Sequence, residues 1–237
     1  MVINQFSIQA YKVLLKFLLK SNLVIRGFHD YSNHMRVVIL RHDVDFCTSS
    51  ALKIAQIENE LNIKSIFFLL LNTNFYNLHS RKNYINVCKI LDMGHNIGLH
   101  FDTSVYHKKE CEVNCIKEVQ ALERLFGIKN KIISFHRPRK KLLNTNKKFA
   151  GYEHTYMSKF TKNMFYCSDS QGKWLFKRPE NIIKKYINKS DFKMQLLTHP
   201  IWWNIQSYKT PHNKISSYLS KKYKDLQIEA ANNCKSY

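Results

Sequence analysis

Along this chain, short apolar runs end repeatedly in an ionisable side chain. Val37-Val38-Ile39-Leu40 passes into Arg41-His42-Asp43-Val44-Asp45, and Ile66 to Leu71 forms an uninterrupted apolar run. Asn96-Ile97-Gly98-Leu99 leads to His100, and Ile132-Ile133-Ser134-Phe135 leads to His136-Arg137-Pro138. Met164-Phe165-Tyr166-Cys167 precedes Ser168-Asp169, and Met194-Gln195-Leu196-Leu197 precedes Thr198-His199-Pro200. Runs of this length predict strands covered on both faces. Between them, residues 50–62, 82–93, 110–127 and 179–188 have apolar positions at helical spacing. Thr48, Ser49 and Ser50 are N-cap candidates for the first of these helices, and Gly94 and Gly127 stand where C-caps belong.

Strands that alternate with helices predict a mostly parallel sheet with helices outside it. Six or more such strands favour an α/β fold of the closed or nearly closed (β/α) barrel kind. No glycine-rich loop follows the first strand, which argues against a doubly wound nucleotide-binding sheet. No composition break divides the chain, so residues 1–237 are expected to form one domain. Residues 5–20 predict an amphipathic helix packed on the barrel. Lys12, Lys16 and Lys20 interrupt that segment every four residues. Its apolar stretches fall short of the ~20 residues of a membrane span, and it lacks a secretory cleavage site. A cytoplasmic location is the expectation.

Charge changes this picture little. Lys and Arg number 38 against 17 Asp and Glu, for a formal net charge of +21. The lysines are scattered and no nucleic-acid recognition motif accompanies them, so a specific nucleic-acid partner is not expected. Peripheral contact with an anionic membrane stays open. The six cysteines show neither a paired framework nor zinc-knuckle spacing, and read as reduced thiols.

In (β/α) barrels, active sites gather where the strands end. Asp43, Asp45, His100, His136, Asp169 and His199 would therefore meet on one rim. With these residues in view, the chain resembles the polysaccharide deacetylase (NodB-homology) superfamily, and within it a bacterial branch tied to surface-polysaccharide or lipopolysaccharide synthesis. The phrases that carry the likeness are RHDVDF, ALKIAQIENELNIKS, GHNIGLHFD, SFHRP, YCSDSQGKW and LLTHPIWW. They extend from about Tyr11 to Trp203. The resemblance implies a distorted (β/α) barrel and metal-dependent hydrolysis of an N-acyl, sometimes O-acyl, group on a sugar.

Carried over by motif, the resemblance makes Asp43 the general base and Asp45 a metal ligand. His100 matches the first of two metal-binding histidines, but Ser104 stands where the second belongs. His136 is the expected third ligand and Asp102 the runner-up. If neither reaches, a carboxylate-rich site or no metal follows. Arg137 is expected to hold Asp43 ionised. His199 is expected to protonate the leaving amine, with Asp169 either pairing Arg137 or steering His199. A divalent metal is implied, zinc being the best match to the donor set. The implied partner is a sugar or glycan, nucleotide- or lipid-linked. Trp202, Trp203, Tyr76 and Phe101 are candidates for stacking on sugar rings at the rim, with a place in the core below a loop as the equal alternative for the two tryptophans. Loss of the second histidine leaves a catalytically silent glycan-binding member as the alternative.

Overall fold

The computed structural model describes residues 6–175, 177–204 and 210–234. Its strands are β1 (Val24–Arg26), β2 (Arg36–Val44), β3 (Ile66–Leu69), β4 (Asn96–Asp102), β5 (Ile132–His136), β6 (Glu153–His154), β7 (Phe165–Ser168) and β8 (Phe192–Thr198). Its helices are α1 (Ile8–Lys20), α2 (Thr48–Glu60), α3 (Arg81–Asp92), α4 (Cys111–Phe126), α5 (Ser158–Thr161), α6 (Pro179–Tyr186), α7 (Pro200–Trp203) and α8 (Pro211–Asn233).

All strand pairings are parallel, in the order β6-β5-β4-β3-β2-β8-β7. One edge of β2 pairs with β8. The other is shared, its first half pairing with β1 and its second half with β3. Among the described residues no ladder joins β6 to β7. Gln195 on β8 ties across that gap, its Nε2 donating to Thr155 O at 3.2 Å and Phe160 O at 2.9 Å. The result is a distorted, incompletely closed (β/α) barrel.

Side chains on a strand alternate between faces, and on β2 this separates two cores. Val38, Leu40 and Val44 pack outward beneath the helices, whereas Ile39 joins Phe68, Ile132 and Phe160 inside the barrel. Arg41 and Asp43 are in step with Ile39 and so face the interior above that apolar layer. A Cβ on Gly98 would lie 2.7 Å from Phe68 Cε1, so only glycine leaves room for that ring.

His42 faces the opposite way and is buried with Glu58 under α1 and α2. Its Nε2 donates to Glu58 Oε1 at 2.8 Å, and its Nδ1 lies 2.6 Å from Thr198 Oγ1. Ser65 Oγ and the Tyr11 hydroxyl also donate to the Glu58 carboxylate. Burial disfavours the Glu58 carboxylate, but His42 and His95 overcome it and hold its pKa below the usual value. Thus two of the charged positions in RHDVD line the barrel, and the histidine between them fastens the barrel to its helices.

In helix α1, Tyr11, Leu14, Leu15 and Leu18 are fully buried. Its expected start at residue 5 lies outside the described residues. Helix α2 begins earlier than expected. Its cap is Cys47, and the Thr48 hydroxyl donates instead to Asn83 Oδ1 at 2.6 Å. Gly127 closes α4 in the left-handed conformation, with φ of 65°. Among the described residues no helix is long and apolar enough to cross a membrane.

Candidate active site

Three side chains meet where β2, β4 and β5 end. His100 Nε2 lies 3.2 Å from Asp45 Oδ1, and His136 Nδ1 lies 3.5 Å from the same oxygen. Register explains the meeting, because β4 and β5 pair His100 with Ser134 and Asp102 with His136. Each of the three side chains offers one ligand atom, and the three atoms lie within 4.8 Å of one another, close enough that they could share a metal ion.

The donor set suits a divalent metal. Donors about 2.0–2.2 Å from a tetrahedral zinc are separated from one another by about 3.3–3.5 Å, close to the two spacings from Asp45 Oδ1. Asp45 Oδ1 is buried and accepts no hydrogen bond, which leaves it free to ligate. Burial opposes the Asp45 carboxylate, yet the adjacent His100, with His199 and His136 nearby, brings its pKa down to about 2. Burial, with His100 and Arg137 nearby, pulls the His136 pKa down, against the opposing pull of Asp45 and Asp102. Its neutral, ligating form is favoured.

Asp43 lies beside this triad, its Oδ2 3.7 Å from His100 Nε2. It accepts at that oxygen from Ser134 Oγ at 3.3 Å and from Arg41 Nη2 at 3.3 Å. Its other oxygen is buried without a partner. The guanidinium facing Asp43 is therefore Arg41, not Arg137 as expected. Arg41 is 0% exposed and is also fixed by the Tyr156 hydroxyl, which accepts from Nη2 at 3.2 Å. It escaped the sequence reading although it lies two residues before Asp43, the spacing that places both on one face of a strand.

Arg137 points elsewhere. Its side chain is 63% exposed and pairs with Asp102 Oδ2. Asp102 Oδ1 accepts from Ser104 N at 2.9 Å and Ser104 Oγ at 2.7 Å. Both Asp102 oxygens are thus engaged, and Ser104 serves to orient that carboxylate.

Across Asp45 stands His199, its Nε2 3.8 Å from Asp45 Oδ2. His199 Nδ1 donates to Asp169 Oδ1 at 2.6 Å, and Trp203 Nε1 donates to Asp169 Oδ2 at 2.7 Å. Of the two partners considered for Asp169, the structure places it on His199. Burial works against a charged His199, but the Asp169 hydrogen bond and charge, helped by Asp45 and Asp43, raise its pKa to about 9.

For the two tryptophans the structure takes the core alternative. Trp202, Trp203, Tyr76 and Phe101 are all buried and belong to the outer core. The Tyr76 hydroxyl is spent on Val44 O and Leu70 N, at 2.7 Å each. A cleft of about 310 Å³ opens over Asp45, His136 and Arg137, and Phe75 lines it at 36% exposure. Phe75 is the aromatic face the sequence reading missed, one residue from the Tyr76 it named.

No family model matches the chain, and no curated protein matches it. Solved structures with a similar fold exist. The chitin deacetylase of the fungal pathogen Colletotrichum lindemuthianum is 15% identical with a TM-score of 0.47, over 85% of this chain and 87% of that one. BA3943, a CE4 family pseudoenzyme from Bacillus anthracis, is 15% identical with a TM-score of 0.44, over 87% and 64%. IcaB from Ammonifex degensii is 12% identical with a TM-score of 0.43, over 54% and 65%. This chain spans less than two thirds of the length of the last two.

Proposed function

We propose that this chain is a metal-dependent hydrolase that removes an N-acyl group, acetyl or formyl, from a sugar during surface-polysaccharide synthesis. The observation that carries the reading is the Asp45, His100 and His136 triad with Asp43 on one side and the His199–Asp169 pair on the other. A lone triad is a binding site. A triad flanked by a carboxylate and a charged imidazole has the parts for amide hydrolysis.

Asp45, His100 and His136 would hold the cation, which we take to be zinc. Bound there, such an ion supplies Lewis acidity towards an acyl carbonyl and makes water more acidic. Asp43 is the base. Its unpartnered Oδ1 is free to accept a proton from the attacking water, while Arg41 and Ser134 hold Oδ2. His199 is the acid. Held through Nδ1 by Asp169, it presents Nε2 towards the triad and carries its proton at neutral pH. As the C–N bond breaks, Nε2–H protonates the departing amine, which is otherwise too basic to leave. Arg137 and Phe75, at the cleft, suit contact with the sugar and its hydroxyls.

The substrate we propose is a nucleotide- or lipid-linked glycan met in the cytoplasm by a single folded domain, with the net positive charge aiding contact with anionic membrane. The test is metal content of the purified chain together with amine release from N-acylated sugar nucleotides and lipid-linked glycans. Stoichiometric metal with metal-dependent release supports the reading. Metal-free protein that binds glycans without releasing amine favours the silent alternative, which Ser104 in place of a second histidine motivates.

A further inference from the structure

Opposite the catalytic rim, where the strands begin, lies a second cavity of about 450 Å³. Its walls come from the starts of β3, β4 and β5 and from the turn after β1. Arg26, His29, Lys64, Lys129 and Lys131 border it, and Asp30 is the one carboxylate among its lining residues. The cationic charge there is only partly answered. Arg26 Nε lies 3.8 Å from Asp30. Lys64 Nζ donates to Asn59 Oδ1 at 2.7 Å and to Met93 O, both neutral acceptors. Among the described residues no carboxylate pairs with Lys129 or Lys131. Glu153, which acts on His29 more strongly than Asp30 does, is held by Lys159 at 2.5 Å.

Lysines are scattered over this whole chain, and on a convex surface water answers each of them. Here they surround a concavity whose floor includes the buried Phe28, Ile66 and Ile132. Such a floor focuses the field of the charges into the cavity and concentrates counter-ions there. His29 lines the same cavity. Burial and then Lys131 hold its pKa below the ordinary value, with Lys159 adding to them against Glu153 and Asp30.

We infer that this cavity binds a small organic diphosphate, its phosphate oxygens towards Lys64, Lys129, Lys131 and Arg26 and its organic body on the apolar floor. The volume lies within the ~300–1,000 Å³ of small-molecule sites. Several cations bordering one concavity match a multiply charged anion better than a single carboxylate. The site is separate from the hydrolytic rim and does not depend on its chemistry.

The test is calorimetric titration of the full chain with inorganic pyrophosphate and with adenosine diphosphate. Saturable binding with a dissociation constant below about 1 mM is expected, weakening with added sodium chloride as charges are screened. Adenosine diphosphate should bind more tightly than pyrophosphate. The double change Lys129→Glu and Lys131→Glu should weaken both by about 10-fold or more. Lys221→Glu with Lys224→Glu on α8, and separately Asp45→Asn, should leave both unchanged, with circular dichroism confirming that each variant folds. Absence of saturable binding, equal weakening by the two charge reversals, or loss of binding in Asp45→Asn overturns the site. Pyrophosphate binding as tight as the nucleotide overturns the role of the apolar floor.

Discussion

Replacing Asp169 with Asn keeps the side-chain shape and removes the charge that holds His199. In the native chain His199 titrates at about 9, against an ordinary value of 6.5, a difference worth roughly 3 kcal/mol. Burial alone would lower it, and Asp169, 2.6 Å from Nδ1, opposes burial most strongly. Without that charge, only Asp45 and Asp43 remain to offset burial, and the His199 pKa should fall well below its native value. The sign for catalysis follows from its proposed role as acid. Turnover needs the protonated ring, so the alkaline limb of kcat/KM should lie at lower pH in Asp169→Asn than in the native chain. A raised pKa also stabilises the fold. That contribution is full below about 6.5 and disappears as pH rises through about 9. The stability gap between native chain and variant should therefore narrow above pH ~9. What persists there is the cost of Trp203 Nε1 facing an amide donor in place of a carboxylate oxygen, about 1–3 kcal/mol. The checks are an NMR titration of the His199 ring in metal-free protein, a pH–rate profile, and urea unfolding at several pH values. A His199 resonance that still titrates near 9 in Asp169→Asn would refute the assignment.

Three further outcomes are expected. Asp43→Asn should abolish turnover and keep the metal, whereas Asp45→Asn should lose the metal, both read by metal analysis beside an amine-release assay; the reverse pattern would exchange the two roles. His136→Ala should sharply lower metal affinity in a competitive chelator titration, and Asp102→Asn should lower it far less, since both Asp102 oxygens are engaged by Arg137 and Ser104. Equal losses would make Asp102 a ligand. Glu58→Gln should destabilise the fold by about 3–5 kcal/mol in urea unfolding, because it breaks a fully buried pair with His42. The lowered Glu58 pKa stabilises the native chain above pH ~4.5 and loses that effect as pH falls, so the penalty should shrink in acid.

The sequence by itself determined the alternation of strands and helices, and with it a parallel barrel whose strand ends collect Asp43, Asp45, His100, His136 and His199. Those residues were legible because strand-length apolar runs mark themselves, and because a chain leaving a buried strand must carry its ionisable groups to the rim. The short β1 and β6 were not legible, since two or three residues carry no periodicity. Tertiary structure alone decided which guanidinium faces Asp43. Arg41 and Arg137 both lie near a strand end, but inward alternation on β2 buries Arg41, while Arg137 leaves β5 with a left-handed φ of 49° and turns out to Asp102. It also decided that Trp202 and Trp203 belong to the core while Phe75 lines the cleft, a matter of depth that local pattern does not encode. The basic cavity at the far end gathers Arg26, Lys64 and Lys131 from separate segments of the chain, and only closure of the sheet brings them to one place. Periodicity is a property of neighbours in sequence, whereas register and depth are properties of neighbours in space.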